Sequence, residues 1–169
     1  VKIGDYAFDE CSSLTGITIP KSVTEVGKSA FRNCSNLTNI TIQDGVESIG
    51  DYAFDGCKKL KEINVAPNNK KYTSVSGILF DKSKKELLRY PAGKVDKSYN
   101  IPDSVTSIGD LAFEGCSSIE SITITDNVIN IGISAFVECL KLSKIDIETD
   151  SKNFVSVNGV LFNKNQTEL

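Results

Sequence analysis

The chain has 169 residues, 40% of them hydrophobic and 24% charged, with a formal net charge of −3. That balance belongs to a folded chain rather than a disordered one, and no apolar run approaches the ~18–20 residues a membrane-spanning helix needs. There is no His, which removes the commonest general base and zinc ligand.

Read in chain order, the first element is Ile3-Gly4-Asp5-Tyr6-Ala7-Phe8, followed by Cys11 and Leu14. The same pattern returns at Val26–Phe31 with Cys34 and Leu37, and at Ile49–Phe54 with Cys57 and Leu60. It returns again at Ile108–Phe113 with Cys116 and Ile119, and at Ile131–Phe136 with Cys139 and Leu142. A fixed period of this length indicates stacked units that share one core. The short units cover 3–25, 26–48, 49–71, 108–130 and 131–153. A longer unit covers 72–107, and a second one begins at 154 and is incomplete at 169. Shifting the chain by 82 residues lays "YTSVSGILFDKSKKEL" over "FVSVNGVLFNKNQTEL". The expectation is one solenoid over 1–169, truncated at both ends, as a piece of a longer array with any export signal upstream.

Within a short unit, Ala7, Phe8, Cys11 and Leu14 are spaced to share one face of a short helical turn. Asp5 and Asp51 stand where they would cap it. Ile17 and Ile19 alternate as a half-buried strand does, and Pro20 and Pro102 end the strand. The predicted fold class is an α/β repeat, with a parallel β-sheet on one face and short helical turns on the other. Six strands, centred on Ile17, Ile40, Ile63, Tyr99, Ile122 and Ile145, would lie side by side in that sheet. In the long unit, Ile78–Phe80 and Glu86–Tyr90 around a polar turn predict a β-hairpin, expected to loop out on the convex or edge side. Gly77 and Gly159 match between the two long units and indicate a backbone requirement. All five cysteines hold one repeat position and are read as reduced, inward, core-filling side chains, with no disulfide or zinc spacing.

The strings "IGDYAFDGCKKLKEINV" and "ITIPKSVTEVG", with the long "YTSVSGILFDKSKKELLRYPAGK", resemble the BspA-type leucine-rich repeats over essentially the whole chain. The inward Asn of the general leucine-rich pattern is missing, as is usual for this subtype. The resemblance implies a leucine-rich-repeat solenoid with hairpin-bearing long rungs. It also implies secreted or cell-surface proteins of host-associated anaerobic bacteria and of some parasitic protists, often proposed as adhesins, with no enzyme activity in the repeat.

Two surfaces are candidate binding sites. The outward strand positions are Thr18, Thr41, Asn64, Asn100, Thr123 and Asp146, a polar row that lacks the aromatic and Arg anchors of hot spots. The second is basic. Residues 58–97 hold eleven Lys or Arg against four acids, net +7, which leaves −10 for the remainder of a chain of −3. Lys70, Lys71, Lys82, Lys84 and Lys85 are its core candidates, for an acidic partner. Gly27-Lys28-Ser29 lacks the upstream Gly of a phosphate loop, because position 22 is Ser, so no nucleotide site is expected. No catalytic, metal or cofactor residue is expected either. Sequons at Asn33, Asn36, Asn39 and Asn165 matter only in a eukaryotic secretory pathway. The expected function is a non-catalytic binding or adhesion module for a host or microbial surface protein or an acidic glycan. The alternatives are a structural spacer and an accessory region of an extracellular enzyme.

Overall fold

A computed structural model describes residues 1–148 and 151–166 as a stack of rungs. Each rung's repeated apolar positions point inward, and successive short rungs pair in parallel ladders. The strands of the first half are β1 (Lys2–Ile3), β2 (Gly16–Ile19), β3 (Glu25–Val26), β4 (Asn39–Ile42), β5 (Ser48–Ile49) and β6 (Glu62–Val65). The first long rung supplies β7 (Tyr72–Val75), β8 (Ile78–Asp81), β9 (Glu86–Arg89) and β10 (Ser98–Asn100). Then come β11 (Ser107–Ile108), β12 (Ser121–Ile124), β13 (Asn130–Ile131), β14 (Lys144–Ile147), β15 (Phe154–Val157) and β16 (Val160–Asn163).

The expected helical turns are absent: among the described residues there is no helix. The reason lies in where the backbone N–H groups go. In the first rung, Ala7, Asp9, Cys11 and Leu14 donate three residues back, to Gly4, Tyr6, Phe8 and Cys11, at 3.0–3.2 Å. The N–H groups between them, of Tyr6, Phe8 and Glu10, instead donate to Lys28, Ala30 and Arg32 of the next rung at 2.8–2.9 Å. A helix would turn every donor onto its own segment. Here two residues four apart take the left-handed conformation, Tyr6 at φ 59° and Glu10 at φ 57°. Left-handed non-glycine residues are costly singly, but each aims a donor at the neighbouring rung. The predicted cap Asp5 follows the same logic, accepting the N–H of Lys28 on the next rung at 2.8 Å. Close stacking also explains the repeated glycine. A Cβ on Gly50 would come within 2.5 Å of the Lys28 nitrogen.

The second correction concerns the sheet. The six strands do not form one sheet but two of three: β2-β4-β6 and β10-β12-β14, each parallel and in register. The long rung's β7-β8 hairpin comes between them. Gly77, at φ 78°, offers its carbonyl to the N–H of Ile63 at 2.8 Å, and Ser74 Oγ accepts that of Val65 at 3.0 Å. β6 is thus satisfied by the hairpin rather than by β10. The predicted hairpin does form, β8 lying antiparallel to β9 around the turn at 82–85, with β7 adding a second antiparallel pairing to β8, but it is not looped out. Ile78, Leu79, Phe80 and Leu87 are all buried, and β9 pairs with β11 to build a five-stranded sheet, β13-β11-β9-β8-β7. An excursion of four apolar residues is too hydrophobic to sit outside a core.

The core falls into two clusters, one on each side of this insertion. Phe8, Phe31 and Phe54 stack at 5.1 and 6.0 Å in the first; in the second Tyr90 stacks on Phe113 at 5.1 Å, and Phe136 lies tilted against Phe113 at 5.5 Å. The cysteines run alongside, all free. They also make hydrogen bonds: the thiols of Cys34, Cys57 and Cys139 each donate to the Phe carbonyl of the preceding rung at 3.0–3.1 Å. A serine at Cys57 would therefore find an acceptor at Phe31. Not all five are inaccessible: Cys34, Cys57 and Cys116 are buried, whereas Cys11 and Cys139 are half-buried. Burial pushes the Cys57 thiol up to about 12, far above the range in which thiolate forms at neutral pH. Native alkylation followed by mass spectrometry should label Cys11 and Cys139 first and Cys34, Cys57 and Cys116 only on unfolding. Equal labelling of all five in the native state would contradict the ladder.

Candidate binding surfaces

The polar row predicted on the sheet exists, in two blocks of three. Thr18, Thr41 and Asn64 are in register across β2, β4 and β6. Asn100, Thr123 and Asp146 are in register across β10, β12 and β14. Their strand neighbours Ile40, Ile63, Ile122 and Ile145 are buried, so strand alternation alone turns the polar side chains outward. The hairpin separates the blocks, and no single row of six is formed.

The basic segment is likewise divided by its partners. Arg89, counted among its charges, is 6% exposed and lies inside the molecule. It donates to the carbonyls of Leu111 at 2.7 Å and Phe54 at 3.2 Å and pairs with the Glu114 carboxylate. Glu114 in turn accepts the N–H of Gly56 at 3.4 Å. The long rung reaches its core aromatic three residues after Leu87, at Tyr90, where a short rung takes five from Ile49 to Phe54. Arg89 and Glu114 bridge the turn ladder across this shortened rung. Spacing gave no hint of the pair. The one available signal was the difference between Arg89-Tyr90 and the Ala-Phe of every short rung.

Three other lysines of the segment are neutralised locally and a fourth is hydrogen-bonded. Lys58 pairs with Glu138 at 3.7 Å, Lys94 with Asp96 at 3.6 Å and Lys97 with Glu120 at 2.5 Å, and Lys59 donates to Asn36 at 2.7 Å. Lys70, Lys71, Lys82, Lys84 and Lys85 are exposed, and none of them is in an ion pair among the described residues. The fold gathers these five at one corner, because the N–H of Lys82 on the hairpin turn donates to the carbonyl of Lys71 at 2.8 Å. Asp81 ties the turn, accepting from the N–H groups of Ser83 at 3.1 Å and Glu86 at 2.7 Å. Lys82 Nζ donates to the carbonyl of Pro67 at 3.1 Å.

A cleft of ≈ 430 Å³ opens where the shortened rung leaves the turn ladder incomplete, lined by Asp51, Tyr52, Glu86, Leu88, Arg89 and Asp110 among others. Burial raises the Glu86 carboxyl, and the charges of Asp81 and Asp110 add to the rise. Asp110 is tied down by the N–H of Ile133 at 2.7 Å.

Comparison with known proteins agrees with this architecture. The family model described as the BspA type leucine rich repeat region matches in six copies, over residues 1–96 and 92–167. The pneumococcal vaccine antigen PcpA is similar in structure at a TM-score of 0.71 and 28% identity, covering 86% of this chain and 42% of that one. A leucine rich cell surface protein from Faecalibacterium prausnitzii gives a TM-score of 0.59 at 28% identity, over 86% of this chain and 50% of that one. The T. pallidum leucine rich repeat protein gives 0.50 at 25% identity, over 84% and 71%. The chain thus spans half or less of the length of the first two. A search of curated proteins finds no match.

Proposed function

This chain belongs to the BspA-type leucine-rich repeat family, and from that premise we propose that it is a non-catalytic binding module of a bacterial cell-surface or secreted protein, used for adhesion to another macromolecule. The observation that carries the reading is the pair of in-register polar blocks, Thr18-Thr41-Asn64 and Asn100-Thr123-Asp146, each held outward on a three-stranded parallel ladder. Such an array offers repeated hydroxyl, amide and carboxylate groups to a partner surface at little ordering cost. Solved relatives described as a vaccine antigen and as a cell surface protein support the location. The partner is a host or microbial surface protein or an acidic glycan. The spacer reading draws on a specific feature of the same blocks, the lack of Arg and aromatic side chains that anchor tight interfaces.

The test is saturable binding of the purified chain to host cells and to immobilised matrix material, for the wild type and for Thr41→Lys/Thr123→Lys. Saturable binding weakened by the double variant, with an unchanged melting curve, is the expected result. No saturable binding on any surface would sink the adhesion reading and leave the spacer.

A further inference from the structure

We infer that the corner formed by Lys71, Lys84 and Lys85, with Lys70 and Lys82 beside them, is a binding site for a linear polyanionic glycan carrying sulfate or carboxylate groups. The inference rests on the surface-module reading above and names a ligand class for it. The chain itself contains the control. The second hairpin, 82 residues on, builds the same turn: Lys164 N–H donates to the carbonyl of Asn153 at 2.7 Å, as Lys82 does to Lys71 at 2.8 Å. Lys164 Nζ donates to the carbonyl of Ser151 at 2.8 Å, much as Lys82 Nζ reaches Pro67. Lys82 therefore has a structural counterpart, and Lys152 matches Lys70. The other three do not recur. Where the first hairpin has Lys71, Lys84 and Lys85, the second has Asn153, Gln166 and Thr167. Over matched stretches the first holds five lysines against two acids, at 70–86, and the second two lysines against one acid, at 152–168.

The hairpin fold does not ask for these lysines. Lys84 sits at φ 58° and Gln166 at φ 55°, a left-handed position where Asn or Gly is the easier choice. All five lysines are exposed and, among the described residues, without a carboxylate partner, unlike Lys58, Lys94 and Lys97. The nearby Asp81 carboxylate is turned into its own turn by Ser83 and Glu86 N–H groups, and Glu86 lines the cleft with Asp110. The ligand class follows from the donor type. Lysine ammonium groups are compact point charges that meet single sulfates or carboxylates, and the corner has no guanidinium fork for bidentate phosphate or base-edge contacts. Tyr72, next to Lys71, is half-buried and its hydroxyl accepts the N–H of Ile49 at 3.0 Å, so its ring is not presented as a stacking platform for bases.

The experiment measures binding of a heparin oligosaccharide, and of duplex DNA of equal charge, by fluorescence anisotropy across salt. It compares the full chain with Lys71→Asn/Lys84→Gln/Lys85→Thr, which places at these positions the residues that stand 82 further on in the sequence. A control, Lys2→Gln/Lys58→Gln/Lys97→Gln, removes equal charge at lysines paired with Glu25, Glu138 and Glu120. The corner variant should lose at least about tenfold in oligosaccharide affinity at low salt, and the control at most about twofold. Wild-type binding should fade steeply toward 1 M salt, where the Debye length is ~3 Å. Equal losses in the two variants, no loss in the corner variant, no oligosaccharide binding at low salt, or tighter binding of the duplex would each overturn the assignment. If the corner variant still binds cells saturably while these glycan results fail, the corner falls and the surface-module reading stands.

Discussion

Arg89→Met is expected to destabilise the chain by about 3–5 kcal/mol, the usual consequence of removing one partner of a buried ion pair. In a chain of this size that lowers the melting temperature by roughly 10 °C. The substitution keeps volume but leaves Glu114, itself buried at 6% exposure, without its cation. It also strips donors from the carbonyls of Phe54 and Leu111. Asp55 makes the effect pH-dependent. Its carboxyl is already raised by burial and by the charge of Glu114, with Arg89 pulling the other way. Without Arg89 it rises further. A carboxyl whose folded pKa lies above its unfolded value favours the fold when protonated, and that stability is lost as pH rises through the folded pKa. The deficit of Arg89→Met should therefore be largest at pH 7 and shrink toward pH 4, and Arg89→Met/Asp55→Asn should recover part of it at pH 7. Chemical denaturation of the three proteins at both pH values checks this. A deficit independent of pH would show that Arg89 acts only through its carbonyl contacts.

The buried pair also marks the boundary of what could be read from residue order. Repeat length, the two rung types, the inward Phe-Cys-Leu set and the outward Thr18-Thr41-Asn64 block follow from periodicity alone, because identical units must bury identical positions. The helical turn was misread for a physical reason. Spacings of one, three and three between Ala7, Phe8, Cys11 and Leu14 suit a helix and a staircase of β-turns equally. What decides is the left-handed φ of Tyr6 and Glu10, and those residues are stabilised there by a rung 23 positions away. The unbroken six-stranded sheet failed because the N–H of Ile63 and that of Val65 are claimed by Gly77 and Ser74, a non-local competition no spacing reveals. The basic belt lost its continuity for a similar reason. Arg89, Lys58 and Lys97 each find a carboxylate brought in by stacking and Lys94 finds Asp96 two residues on, whereas the five corner lysines have no ion pair among the described residues.

The two long rungs give a second large effect, at Asn69, which is fully buried. Its Nδ2 donates to the carbonyls of Gln43 and Val46 at 3.0 Å, and its Oδ1 accepts the N–H groups of Lys71 and Tyr72 at 2.8 Å. One side chain thus seats the start of β7 against the preceding rung. The second long rung divides the same work. Ser151, aligned with Asn69, is buried, and its Oγ accepts the N–H of Phe154 at 3.3 Å. Asn153, aligned with Lys71, sends its Nδ2 to the carbonyl of Val128 at 3.2 Å. Asn69→Ala should cost about 3 kcal/mol or more, since each buried group left unpaired costs roughly 1–3 kcal/mol. Asn69→Ser should cost about 2 kcal/mol, keeping an acceptor for β7 but losing the Nδ2 amide that reaches both carbonyls. Lys71→Asn alone should be nearly neutral, because Lys71 is exposed. Combined, Asn69→Ser/Lys71→Asn recreates the arrangement of the second rung and should recover more than half of the serine's deficit. A double-mutant cycle in urea reads this directly as a coupling of about 1 kcal/mol or more between two residues whose single effects would otherwise add. Strict additivity would mean that the two long rungs are held by different contacts and that the exchange of roles between positions 69 and 71 does not occur.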